Sequence, residues 1–213
     1  LRSIDCFSRF REPRLLMPLV PDTVLDIVRG LRGGNPFRLR YPFASRCGHR
    51  PVLILGCGRS GNTLMRTMLN ASGQVAIPPE SYVWARVYRF MRSTPHRDWP
   101  SLAAGVADHF RSYPEFHTWD LDLTEVRARL IALNEDQRTL ADAIALIHKA
   151  YRDHHYPDAR LWGDKTPINA LYARQILDVF PNARVIHMQR DPVDVVASYV
   201  RSGLLDERRA VRF

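Results

Sequence analysis

The chain has 213 residues, 46% of them hydrophobic and 25% charged. That is enough for one domain whose core needs no disulfide or metal staple. Three cysteines, Cys6, Cys47 and Cys57, are odd in number and far apart, which argues against a disulfide framework or a cysteine zinc site and fits a reducing, cytoplasmic compartment. The formal charge of +9 suits an anionic partner, whether nucleic acid, membrane surface or acidic substrate, although a solvated basic surface explains it equally well.

Residues 1–50 read as a basic N-terminal extension. They hold ten arginines against Asp5, Glu12, Asp22 and Asp26. A short helix is expected from Asp22 to Arg32, stopped by Gly33-Gly34-Asn35-Pro36. Phe37 to Pro51 reads as irregular. No continuous apolar core of the signal-peptide kind opens the sequence, and no apolar run approaches the length of a membrane span.

Val52-Leu53-Ile54-Leu55 begins the main domain, assigned to residues 51–213. This apolar run breaks at Gly56-Cys57-Gly58-Arg59-Ser60-Gly61 and resumes as a helical pattern through Leu64, Met65, Met68 and Leu69. Strand, glycine loop and helix form a phosphate-binding layout, in which backbone N–H groups and a helix N-terminus face an anion. Gly56, Gly61 and Thr63 match the spacing of the nucleotide-binding pattern G-x-x-x-x-G-K-[ST], with Asn62 in the lysine position. Arg59 can supply the missing charge.

A second short strand is expected at Gln74 to Ile77. Pro78-Pro79 stops it and leads into a helix from Ser81 to Met91, which puts Glu80 at a strand-end junction. Ser101 to His154 reads as helical throughout. Asp122 caps one helix, and Leu140, Ile144, Ile147 and Tyr151 give another a buried face. His148, His154 and His155 lack a helical spacing that would make them metal ligands and are read as core or surface histidines. A third strand is expected to end at Gly163, leaving Asp164 and Lys165 at its C-terminal edge. Thr166 then reads as an N-cap and Pro167 as the first helical residue, with Ile168, Leu171, Tyr172, Ile176, Val179 and Phe180 on one face. Arg184 to Gln189 reads as a buried strand. Asp191 and Pro192 open the final helix, whose core stripe is Val193, Val196 and Val200. Strands alternating with helices predict a three-layer α/β/α domain with a central parallel sheet, whose right-handed crossovers bring the three turns to one edge.

Gly58 to Leu64, then Gly163-Asp164-Lys165-Thr166-Pro167, then Arg190-Asp191-Pro192 with Ser198 eight residues on, together resemble the sulfotransferases. The likeness covers roughly Pro51 to Gly203 and is nearest the branch that includes protein-tyrosine sulfotransferases and many bacterial enzymes. It implies 3′-phosphoadenylyl sulfate as co-substrate. Arg59, Ser60, Gly61, Asn62, Thr63 and Leu64 would hold the 5′-phosphosulfate, and Arg190 and Ser198 the 3′-phosphate. Arg59 and Lys165 would act at the reacting group, and Glu80 would serve as general base. No metal is implied. The acceptor would be a hydroxyl on a small molecule, a carbohydrate or a tyrosyl peptide, and no nucleic acid is expected as partner. Such enzymes continue past the second phosphate motif, so a further C-terminal portion is expected. Two alternatives stand beside this reading: a P-loop phosphoryl transferase acting on a nucleotide or small molecule, and a basic polyanion-binding module built on residues 1–50.

Overall fold

The structure, a computed structural model, describes residues 39–206. The helix expected at Asp22 to Arg32 lies outside that range, as does most of the basic extension. The larger compact unit is Arg40–Val195; residues 196–206 belong to a second unit.

Four parallel strands form the centre of the larger unit: β1 (Val52–Gly56), β2 (Val75–Ala76), β3 (Leu161–Lys165) and β4 (Arg184–Met188), in the order β2-β3-β1-β4. Val52 lies opposite Gly163 and Arg184, Ile54 opposite Lys165 and Ile186, and Gly56 opposite Met188. This register brings the C-terminal ends of β1, β3 and β4 to one edge of the sheet. It is the edge where open parallel sheets place their ligand sites.

β1 is buried along its whole length, and alternation sends its side chains to two different cores. Val52 and Ile54 pack with Val75 and Ile77 and with Met65 and Leu69 of α1 (Asn62–Ala71). Leu53 and Leu55 face the larger cluster. That cluster is built from α2 (Trp84–Ser93), α3 (Trp99–Arg111), α4 (Leu123–Ile131), α5 (Leu140–His155) and α6 (Ala173–Val179). Sheet and two helical layers match the α/β expectation. Residues 40–50 also join the larger core: Tyr41 meets Trp99 edge-on, and Phe43 lies against Tyr88.

Several local expectations hold. Leu140, Ile144, Ile147 and Tyr151 are all buried on α5. Asp122 accepts the Thr124 N–H at the start of α4, and Asp191 accepts the Val193 N–H at the start of α7 (Pro192–Arg201). Others change. The region expected to be one helical stretch is three α-helices separated by short 3-10 turns at Phe116–Trp119 and Glu135–Gln137. α2 starts at Trp84 rather than Ser81, because Tyr82 takes φ 50° and cannot continue a right-handed helix. β3 runs on through Asp164 and Lys165 instead of ending at Gly163. Pro167–Tyr172 is a 3-10 helix, and its tighter period turns Leu171 outward, leaving it 77% exposed. Among the described residues β4 pairs with β1 alone, and it is exposed rather than buried, with three exposed and two intermediate positions. On α7 the buried residues are Val195 and Tyr199, while Val193 is exposed.

Two glycines set how closely the strands approach. A Cβ on Gly163 would sit 2.1 Å from the Val52 carbonyl oxygen, and one on Gly56 would sit 2.5 Å from the Met188 carbonyl oxygen. Gly163→Ala therefore forces β1 and β3 apart just before Lys165. It should lower stability by about 1–3 kcal/mol, the usual range for overpacking, as read from urea denaturation; an unchanged midpoint would contradict the close approach.

Candidate functional site

The loop between β1 and α1 is shaped by its backbone. Arg59 (φ 66°) and Gly61 (φ 88°) both take left-handed conformations. Such reversals turn successive N–H groups toward one side of a loop. Gly61 is the N-cap of α1 and provides no side-chain cap, so the first N–H groups of the helix have no intrahelical acceptor. Asn62 is buried, and its side-chain amide donates to the Cys57 carbonyl at 2.8 Å and the Gly56 carbonyl at 3.5 Å. Those two carbonyls fix the amide's orientation and leave Asn62 Oδ1 buried without a hydrogen-bond partner. Asn62 thus braces the loop from inside, in the position where a nucleotide-triphosphate loop carries its lysine.

Lys165, the last residue of β3, is 3% exposed. Its Nζ donates to Thr63 Oγ1 at 3.3 Å and forms an ion pair with Glu80 Oε1. The other carboxylate oxygen of Glu80 accepts the Tyr82 hydroxyl at 2.5 Å. Three segments far apart in sequence, the loop helix, the exit of β2 and the end of β3, meet around one ammonium group.

That meeting is held by side-chain hydrogen bonds that sequence reasoning missed. Asn70 of α1 donates to the Ile77 carbonyl and accepts the Ile77 N–H, each at 2.9 Å, which fixes the chain just before Pro78-Pro79-Glu80. The Ser81 N–H donates to Thr166 Oγ1 at 3.3 Å, and Thr166 in turn donates to Asp164 at 3.3 Å. Asn169 donates to the second Asp164 oxygen at 2.8 Å. Thr166 therefore bridges strands rather than capping the following helix. Its hydroxyl and the amide of Asn169 are the sequence signals for a buried acid at 164.

Arg190 reaches across from the end of β4, donating to the Arg59 carbonyl at 3.0 Å, and lies 3.7 Å from Asp194. The structure thus brings Arg59, Thr63, Glu80, Lys165 and Arg190 to one sheet edge. Ser60 is buried in the loop, and Leu64 is exposed on α1. Ser198 lies on α7 within the second unit.

Two buried titratable groups lie beside Lys165 in β3. Burial drives the Asp164 carboxyl up to about 7, with the hydrogen bonds from Thr166 and Asn169 partly opposing the rise. His148 of α5 is fully buried; it accepts from the Trp84 indole at 3.1 Å and donates Nδ1–H to the Gly163 carbonyl at 3.1 Å. Burial lowers its pKa to about 3, so it stays neutral. It is a satisfied core histidine, and it anchors β3 one residue before Asp164.

Residues 51–212 match a family model described as "Sulfotransferase family". Over 193 residues the chain is 28% identical to a protein of Aquifex aeolicus (strain VF5) carrying the name "Uncharacterized protein". The match takes in 89% of this chain and 20% of that protein, so the chain spans about a fifth of its relative's length.

Because Asp164 binds its proton more tightly folded than unfolded, its contribution to stability is full below the ordinary value of 3.8 and is lost as pH rises through about 7. Asp164→Asn removes this loss. Relative to the parent chain, the variant's melting temperature should rise progressively between pH 4 and pH 8; a pH-independent difference would show that Asp164 titrates normally.

Proposed function

The chain belongs to the sulfotransferase family, and we propose that it moves a sulfonyl group from 3′-phosphoadenylyl sulfate to an acceptor hydroxyl, with Glu80 as general base. The observation that carries this reading is the position of Lys165 Nζ, between Thr63 of the anion loop and the Glu80 carboxylate. A cation there faces both the side that would hold the donor and the side that would activate the acceptor.

The residues fit an anionic nucleotide. The uncapped start of α1 and the reversed backbone at Arg59 and Gly61 offer N–H groups, and the helix N-terminus adds a partial positive charge. In this reading Arg59, Ser60, Gly61, Asn62, Thr63 and Leu64 take the 5′-phosphosulfate, and the side chain of Asn62 also keeps the loop in shape. Arg190 takes the 3′-phosphate, the group that distinguishes this donor from ordinary adenine nucleotides. Guanidinium groups suit this task because their forked N–H donors match phosphate oxygens.

The donor supplies the sulfonyl group and a phosphate leaving group. Lys165 counters the negative charge that gathers on the leaving oxygen, a preorganised electrostatic contribution. Glu80 takes the acceptor's proton as the new S–O bond forms. Tyr82, bonded to the other oxygen of Glu80, fixes the carboxylate's direction. The phosphoryl-transfer alternative is weaker: the Asn62 amide is spent on loop carbonyls, and no cation stands at that position.

Calorimetry should show adenosine 3′,5′-bisphosphate binding more tightly than 5′-AMP; equal affinities would overturn the donor assignment. Arg190→Ala should weaken the bisphosphate by about 1.5–3 kcal/mol, the size of a charged hydrogen bond. Glu80→Gln should leave that binding nearly intact and lower turnover by about 10²–10⁴-fold, the usual contribution of a general base; full turnover in this variant would remove Glu80 from the role.

A further inference from the structure

We propose that Asp120, His154 and His155 form a binding site for a divalent cation of the zinc class. The site would clasp the end of α5 to the turn that follows Phe116–Trp119. One ring nitrogen from each histidine and one carboxylate oxygen of Asp120 all lie within 4.8 Å of one another. Two imidazoles and a carboxylate are a donor set that borderline divalent cations prefer.

The surroundings favour a cation over three solvated side chains. His155 Nε2 lies 2.8 Å from the Trp119 carbonyl oxygen. A carbonyl can only accept, so this nitrogen carries the proton and Nδ1 keeps the lone pair. A backbone carbonyl of this kind orients a metal-bound histidine through the ring nitrogen that is not the ligand, so Nδ1 is the atom His155 would offer. The His155 ring is also packed against Tyr151 at 4.5 Å between centroids, which limits its rotation. The His154 ring stands nearly perpendicular to it, with centroids 4.5 Å apart. Both histidines occupy the last turn of α5, where the helix carries its partial negative charge and a cation is favoured.

Asp120 is held in place by its backbone. It adopts φ 45°, a left-handed conformation rare outside glycine, directly after Trp119, whose side chain is completely buried. Tetrahedral zinc with bonds of about 2.0–2.1 Å sets its ligand atoms about 3.3 Å apart. The exposed His154 ring is free of the packing that holds His155, and solvent would complete the shell. In the chain the histidines come just before β3, whose last residue is Lys165. The clasp serves the fold rather than the sulfonyl-transfer site and is independent of the donor assignment.

Zinc titrated calorimetrically into the full chain, in a buffer that does not bind metal, tests this directly. One site should be seen, and zinc should raise the melting temperature. Asp120→Asn keeps a residue that tolerates the left-handed backbone, and His154→Ala alters only an exposed side chain; each should weaken zinc by about tenfold or more, since even outer-shell changes cost about that much. His117→Ala, an exposed histidine outside the cluster, should bind zinc as the parent does. Absence of zinc binding to the parent chain, or equal binding by the parent, Asp120→Asn and His154→Ala, would overturn the proposal.

Discussion

An ammonium group as buried as that of Lys165 cannot be left without a counter-charge, since an unpaired interior ion costs several kcal/mol. Much of the architecture around the sheet edge follows from meeting that demand. Glu80 supplies the charge, but it stands on the exit of β2, a strand only two residues long. The Asn70 pair of hydrogen bonds and the Ser81–Thr166 contact hold that short exit against its neighbours. Thr63 then brings the loop between β1 and α1 to the same ammonium group. A structural requirement and a chemical opportunity coincide at one atom.

The strand that carries Lys165 is steadied by two buried groups whose titrations oppose each other. His148 is held neutral, and its share of stability is lost as pH falls from the ordinary 6.5 toward about 3. Asp164 behaves in the contrary sense as pH rises from 3.8 toward about 7. Over the range where both act, the two slopes partly cancel. The neighbourhood of Lys165 is thereby buffered against mild acid, although each group alone would make it sensitive.

Much of this was legible in the sequence because it depends on local signals. The glycine loop, the alternation of strands and helices, the Asp122 and Asp191 caps and the buried stripe of α5 all follow from residues near one another in the chain. What was not legible depends on distant partners. The exposure of β4 is set by the sheet order, which one strand's composition does not encode. Leu171 turns outward because a 3-10 period replaces the α period, a choice made by packing after Pro167. Asp120 and the two histidines are 34 residues or more apart in sequence, so no motif joins them. The inward turn of the Asn62 side chain onto the Gly56 and Cys57 carbonyls is likewise set by the loop's fold rather than by the residue type.

Among the described residues, the non-glycine positions with left-handed backbone are Arg59, Tyr82 and Asp120. Each such conformation costs on the order of 1–3 kcal/mol, and each falls at a place where a side chain is wanted: in the loop between β1 and α1, beside Glu80, and in the histidine cluster. Glycine would relax the backbone at all three. Efforts to make this protein more robust would therefore be drawn to a loop arginine, the hydroxyl partner of Glu80 and a carboxylate of the histidine cluster. A chain optimised for stability alone would gain a quieter fold and lose a guanidinium, a phenol and a carboxylate from these three places.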